Sequence, residues 1–190
     1  TECTDLVFLD ADIGWRGEDL VSLLRYDRDM VAGVYPKRVP DGEEYPISMP
    51  GGHDIWSEPD GLVEAHAVPT GFLRIRRNVI EILTATHGQR KYQGQGTKAG
   101  DPPYVILFER TFENGARWSG DYAFCRKWAS TGGKIHVDPR FHFIHEGSAE
   151  WSGCLGDYWM RIHGLEEKAR EKRFSAAIAA VKAGSHTVEH

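Results

Sequence analysis

Leu6-Val7-Phe8-Leu9-Asp10-Ala11-Asp12 decides the reading of this chain: four consecutive apolar residues run directly into two carboxylates spaced one residue apart. A short continuous apolar run bounded by turn signals is the pattern of a strand buried on both faces, as in a parallel sheet covered by helices. In open α/β sheets ligands bind beyond the carboxyl ends of the strands, which puts Asp10 and Asp12 at the mouth of a crevice. Residues i and i+2 of an extended strand point the same way, and two like charges held that close repel unless a cation lies between them. A divalent ion removes the repulsion. Mg²⁺ and Mn²⁺ take hard oxygen ligands, typically one or two carboxylates together with substrate phosphates. Turn-forming or helix-capping carboxylates are the plain alternative for the same pair.

Outward from this strand, Gly17-Glu18-Asp19 ahead of Leu20, Val21, Leu23 and Leu24 predicts a short helix with acids in its first turn. Met30 to Tyr35, stopped by Pro36, predicts a second buried strand parallel to the first, with Lys37 and Arg38 just past its end. Residues 39 to 61, rich in Pro, Gly, Asp and Glu, read as a long surface excursion. Leu62 to Val68, and Phe72-Leu73-Arg74-Ile75-Arg76 with strict apolar/charged alternation, read as half-buried strands joined at Pro69-Thr70-Gly71. Val79, Ile80, Ile82 and Leu83 give a helix face, residues 87 to 102 a lid-like or disordered segment, and Tyr104 to Phe108 a strand. Tyr122, Phe124, Cys125 and Trp128 predict a mostly apolar helix, with Ser119 or Asp121 near its start and Gly132-Gly133 past its end. Lys134 to Asp138 is a short strand ended by Pro139, and Phe141 to His145 alternates as another. The tail from Leu165 to Lys182 reads as an amphipathic helix, packed on the domain or on a second subunit.

With 190 residues, 41% hydrophobic, 27% charged and 21 glycines, the composition is that of a soluble α/β or α+β protein of ordinary domain size. The organisation expected is an α/β domain over residues 1-150 and a helical extension of it over 151-190. No apolar run approaches the roughly eighteen residues of a membrane span, and the amino terminus lacks a basic region followed by an apolar one, so a cytoplasmic location is expected. A net charge of -5 without a basic run argues against a nucleic-acid partner. Cys3, Cys125 and Cys154 are odd in number and widely separated, without Cys-x-x-Cys spacing, so reduced thiols are the default.

The ordered set of an apolar strand ending in Asp10-Ala11-Asp12, then Ala32-Gly33-Val34-Tyr35-Pro36-Lys37, then Thr70-Gly71-Phe72 with Ile75-Arg76-Arg77, then Gly120-Asp121-Tyr122-x-Phe124-Cys125-Arg126, then Gly133-Lys134-Ile135-x-Val137-Asp138 and His145, resembles a bacterial or phage-type nucleotide-sugar glycosyltransferase of the type A fold. The resemblance covers roughly residues 5 to 147. It implies a mixed, mostly parallel sheet flanked by helices, Mn²⁺ or Mg²⁺ as cofactor, a nucleoside-diphosphate sugar as donor and a saccharide or other hydroxyl as acceptor. It further implies that Asp12 is a direct metal ligand, that Asp10 contacts ribose or the metal shell, that His145 adds a ligand, and that Asp121 is the general base. Lys37, Thr70, Gly71, Tyr122 and Arg126 fall at its substrate-binding positions. Two departures accompany it: Gly120 stands where many relatives carry a glutamate, and the nucleotide-binding units that come before the Asp-x-Asp strand have only about four residues here, so the chain is read as lacking that half.

Chemistry supports the same roles. A bound divalent ion stabilises a departing diphosphate as a Lewis acid, and an acceptor hydroxyl needs a positioned base, worth ~10²–10⁴ in rate. Lys37, Arg38 and Arg126 are candidates for pairing with phosphate or an acidic acceptor. Other readings stay open: Asp121 as a plain helix cap, His145 as a structural imidazole, Thr70-Gly71 as a turn. At the level of function, the alternatives are a haloacid-dehalogenase-type phosphatase, in which Asp10 would attack phosphorus, and a non-catalytic scaffold or sugar-binding module. Against the phosphatase, Ile13-Gly14 replaces the usual Gly-Thr pair.

Overall fold

A computed structural model describes residues 3–50, 57–89 and 91–163. The chain divides into two compact units, Thr1–Leu155 and Gly156–His190. The helix read over residues 165 to 182, and with it any subunit contact through that helix, lies outside the described residues.

In chain order the elements are β1 (Asp5–Leu9), β2 (Ile13–Gly14), α1 (Gly17–Arg25), β3 (Met30–Ala32), β4 (Val63–Ala65), β5 (Phe72–Arg76), α2 (Arg77–His87), β6 (Lys91–Tyr92), β7 (Tyr104–Val105), β8 (Thr111–Glu113), β9 (Ala116–Trp118), α3 (Gly120–Ser130), β10 (Ile135–Val137), β11 (His142–Glu146), β12 (Glu150–Cys154) and α4 (Leu155–His163). The main sheet has the order β1-β5-β3-β10-β4. Only the β3–β10 pairing is parallel; β1–β5, β5–β3 and β10–β4 are antiparallel, so the sheet is mixed, as expected, but not mostly parallel.

The strand at the head of the chain is also placed differently from its reading. β1 is an edge strand, separated from β3 by β5, and its Leu6 and Leu9 are exposed. An apolar run bounded by turns cannot by itself distinguish a central strand from an edge strand with one covered face. Inside that edge lies β5, an interior strand whose alternation suggested a wet face, while β3 takes the central position. Arg74 of β5 is instead 1% exposed. Its guanidinium donates to Asp5 Oδ1 at 2.8 Å and to the carbonyls of Tyr26 and Arg28 at 2.9 and 2.6 Å, which is how a charge is carried into a core.

Phe72 and Val31 share one sheet face with Leu23 and Leu20 of α1, joined by Ile13, Leu62, Phe141 and Phe143. On the opposite face Phe8 meets Phe108, which stacks on Phe124 of α3 at 4.1 Å between ring centroids. Helices thus cover both faces. The excursion over residues 39 to 61 is pinned where it is described: Lys37 N–H donates to the Glu44 carbonyl and Ser48 N–H to the Ala67 carbonyl. Lys91–Tyr92 and Tyr104–Val105 pair as a short β6–β7 ribbon, so the strand read over 104 to 108 is two residues long, and residues 93 to 103 between them form turns without helix or strand. Sheet β12-β11-β2 stands beside the main one and draws the chain after Asp12 onto the strand that carries His145, with Ile13 opposite His145 and Gly14 opposite Ile144. Among the described residues no helix is long and apolar enough to cross a membrane.

Candidate functional site

β1, β3 and β10 run in one direction, and the segments leaving their carboxyl ends carry Asp10 and Asp12, Tyr35 to Arg38, and Asp138. The Asp-x-Asp stretch is not extended strand, because β1 ends at Leu9 and residues 10 to 13 turn, with Ile13 N–H 3.3 Å from the Asp10 carbonyl. The extended-strand argument therefore does not apply to its two carboxylates. Asp10 N–H donates to the Gly71 carbonyl at 2.9 Å. Its carboxylate lies over Gly71 together with the Tyr35 ring: a methyl group on Gly71 would stand 2.5 Å from Tyr35 Cε1 and 2.7 Å from Asp10 Oδ2. Glycine is required at position 71 by that close approach.

Asp12 stands beside β11. Its carbonyl accepts from Glu146 N–H at 2.8 Å, continuing the β2–β11 pairing. Its Oδ2 is 3.9 Å from His145 Nε2 and 2.5 Å from an Arg38 guanidinium nitrogen. His145 Nδ1 lies 2.7 Å from the Pro36 carbonyl. A carbonyl only accepts, so Nδ1 carries the proton, and it is the neutral tautomer of that ring that would turn an Nε2 lone pair toward Asp12. That second bond is the arrangement which orients an imidazole as a ligand. Ligand atoms sit ~2.0–2.1 Å from Mg²⁺, so two of them 3.9 Å apart are within the span of one ion. The donor set is a carboxylate oxygen, suited to Mn²⁺ or Mg²⁺, and an imidazole nitrogen, which transition ions take more readily than Mg²⁺ does. It is also short, since Asp10 does not join as a third ligand, and among the described residues no group of three His, Cys, Asp or Glu side chains is placed to hold a metal.

Tyr35 links this pair to Asp121. Burial first, and then the charges of Asp10, Asp121 and Asp12, push the Tyr35 phenol above its ordinary value, while a hydrogen bond from the Gly71 backbone works the other way. Tyr35 also meets the His145 ring edge-on at 5.1 Å between centroids. Asp121 opens α3, after the N-cap residue Ser119, and its Oδ1 accepts from Tyr122 N–H at 2.9 Å and from the Ser119 hydroxyl. It is both a helix-terminus carboxylate and a neighbour of the Tyr35 phenol.

The remaining residues singled out from sequence fall into two groups. Thr70 and Gly71 lead into β5 beside Asp10. Tyr122 is half-buried next to Asp121, its phenol pushed up to about 12 by burial and then by Asp121. Lys37 is engaged elsewhere, with Nζ 3.1 Å from Glu44. Arg126 pairs with Glu113 at 2.9 Å and lies over the Trp118 ring. The sequence reading passed over Tyr35 as a site residue and took Arg38 for a partner of phosphate or an acidic acceptor, whereas it pairs with Asp12. The tyrosine's place at the end of an apolar strand, before Pro36, was the available signal.

No protein family and no curated protein matches this chain. Among solved structures it is similar to the crystal structure of A197 from STIV, at 15% identity and a TM-score of 0.41, over 80% of this chain and 63% of that one. The chain therefore spans less than two thirds of the length of that structure.

Proposed function

We propose that this chain is a metal-dependent glycosyltransferase that moves a sugar from a nucleoside-diphosphate sugar to an acceptor hydroxyl with inversion, on a type A glycosyltransferase fold and in the cytoplasm. The observation that carries the reading is the meeting of Asp12 with His145 Nε2, whose other nitrogen is tied to Pro36, beside a phenol that also neighbours Asp121. Asp12 and His145 would hold Mn²⁺ or Mg²⁺, and the ion when bound supplies Lewis-acid stabilisation of the departing diphosphate. Asp121 takes the proton of the acceptor hydroxyl, and Tyr35, kept protonated by its surroundings, offers a neutral hydrogen-bond donor between the two halves of the site. Asp10, Thr70 and Gly71 form the wall against which the donor rests.

A binding module without transfer is the second reading. It is favoured by the Arg38 guanidinium on Asp12 and by the short ligand set. Calorimetric titration of UDP and GDP with and without Mn²⁺ tests both readings, using the 190-residue chain and its Asp12→Asn variant. The transferase reading expects Mn²⁺-dependent nucleotide binding, lost in the variant, together with sugar transfer by the unmutated chain. Mn²⁺-dependent binding without transfer leaves the binding module. Nucleotide binding indifferent to both Mn²⁺ and Asp12 removes the metal assignment, and hydrolysis of a simple phosphate ester would put the phosphatase ahead.

A further inference from the structure

We propose that Arg38 is the built-in counter-ion of the site: its guanidinium holds Asp12 in the metal-free chain, yields that carboxylate to a divalent cation, and then pairs with the phosphate groups that accompany the cation. This rests on the reading of Asp12 and His145 as ligands. A half-exposed carboxylate attracts a cation, and the chain supplies one of its own at 2.5 Å from Asp12 Oδ2. Other cations singled out in the sequence are committed elsewhere, Lys37 to Glu44 and Arg126 to Glu113.

The position of Arg38 is built. On its two sides Lys37 N–H donates to the Glu44 carbonyl at 2.7 Å and Val39 N–H to the Lys37 carbonyl at 3.1 Å. The Val39 carbonyl accepts from the Trp151 indole at 2.7 Å. Gly147 leaves the slot through which the side chain passes: a methyl group there would stand 3.1 Å from Arg38 Nε and 3.3 Å from its Cδ. The backbone is therefore fixed while the charged end reaches Asp12. That end is exchangeable, because the side chains of Arg38 and Asp12 are 37% and 49% exposed and water screens the pair. A guanidinium released from a carboxylate has a planar fork that matches phosphate oxygens two at a time, which suits it to the anion that Mn²⁺ or Mg²⁺ brings. The exchange needs no backbone movement, since the cation and the phosphate arrive at the same few ångströms of surface.

Mn²⁺ titration followed by electron paramagnetic resonance of the free ion tests this on the whole chain and on Arg38→Gln, Gly147→Ala and Asp12→Asn. Each titration is done with and without inorganic pyrophosphate. Arg38→Gln is expected to bind Mn²⁺ alone roughly two- to fivefold more tightly than the unmutated chain, the factor an exposed ion pair is worth. The same variant loses most of the tightening that pyrophosphate brings. Gly147→Ala, which crowds Arg38 without removing its charge, shifts Mn²⁺ binding in the same direction. Arg38→Gln binding Mn²⁺ no more tightly, with Asp12→Asn still abolishing binding, overturns the counter-ion while leaving the ligands in place. Binding of Mn²⁺ that is absent from both chains, or unchanged in Asp12→Asn, overturns the ligand reading and this inference with it.

Discussion

Tyr35 is the residue on which the charges of three carboxylates act, and it tolerates them because a partly buried phenol pushed above its ordinary value stays neutral and keeps a proton to donate. The space it shares with Asp10 exists only because position 71 lacks a side chain. Gly71→Ala is expected to cost about 1–3 kcal/mol, as overpacking does, and to weaken Mn²⁺ binding by moving both neighbours; urea denaturation and Mn²⁺ titration measure the two effects. If both stay unchanged, the close approach is not what holds Tyr35 and Asp10. Asp121→Asn separates a base from a cap. Asparagine still offers a side-chain oxygen to Tyr122 N–H, so the urea midpoint should hold, while turnover falls by ~10²–10⁴ at constant donor affinity. Near-normal initial rates would leave Asp121 a helix-terminus residue and nothing more. At this scale the sequence was partly legible. Asp12, His145 and Asp121 were picked from position and residue type, but the turn over residues 10 to 13 was not, because an Asp-Ala-Asp stretch is equally compatible with a continuing strand. The Arg38 contact depends on a slot at Gly147, more than a hundred residues away along the chain.

Among the elements, β8 and β9 form a hairpin that leads straight into α3 and Asp121. Asn114 and Gly115 turn it with φ of 50° and 76°, the two left-handed residues of a type I′ turn, and Asn-Gly between short extended runs is the strongest local hairpin signal a sequence carries. That signal was present and went unread, because the flanking Thr111 to Glu113 and Ala116 to Trp118 are too short and too exposed to show alternation. Arg126 braces the hairpin from α3 through Glu113 and Trp118. Arg126→Ala is expected to raise amide hydrogen exchange across residues 111 to 118 severalfold, in line with the ~0.5–1 kcal/mol of an exposed cation–π contact, while leaving UDP and GDP affinity unchanged. A loss of nucleotide affinity with unaltered exchange would return Arg126 to the substrate. The long elements were easier to read: α1 and α3 followed their apolar periodicity and terminal residues, and α2 its apolar face alone. β5 misled because its charged residues have partners from other elements, Arg74 on Asp5 and Arg76 on Asp27, and alternation is blind to partners.

For the whole molecule, Arg74 ties the interior strand β5 to the start of β1 and to the chain after α1, so its removal should be felt globally. Arg74→Ala is expected to cost about 3–5 kcal/mol and Arg74→Met much less, since the second restores volume without leaving a cavity. Asp5 gives this a pH signature. Burial alone would raise its carboxyl, but the hydrogen bond and charge of Arg74, with a hydrogen bond from Thr4, hold it below the ordinary value of 3.8. A depressed folded-state value means that the stabilisation is present above 3.8 and is lost as the pH falls through the folded value. Asp19, pushed up by burial, works in the opposite sense, so the measurement is the difference between the unmutated chain and Asp5→Asn. That gap in urea-derived stability should be widest near neutrality and close below about pH 4; a gap independent of pH would exclude the ion pair as its source. The α/β class was legible from alternating apolar runs and helix faces, whereas strand order was not, because short apolar runs of similar composition carry nothing that says which of them pair. The β2–β11 pairing joins residues 13–14 to 144–145, and the candidate site draws on both sides of it. Contacts so distant in sequence close late during folding, after loop entropy has been overcome, so a chain caught with only its local helices and hairpins formed holds no site at all. Occupancy of the site and integrity of the sheet are then one equilibrium, and a molecule that binds there raises the midpoint of global unfolding by mass action.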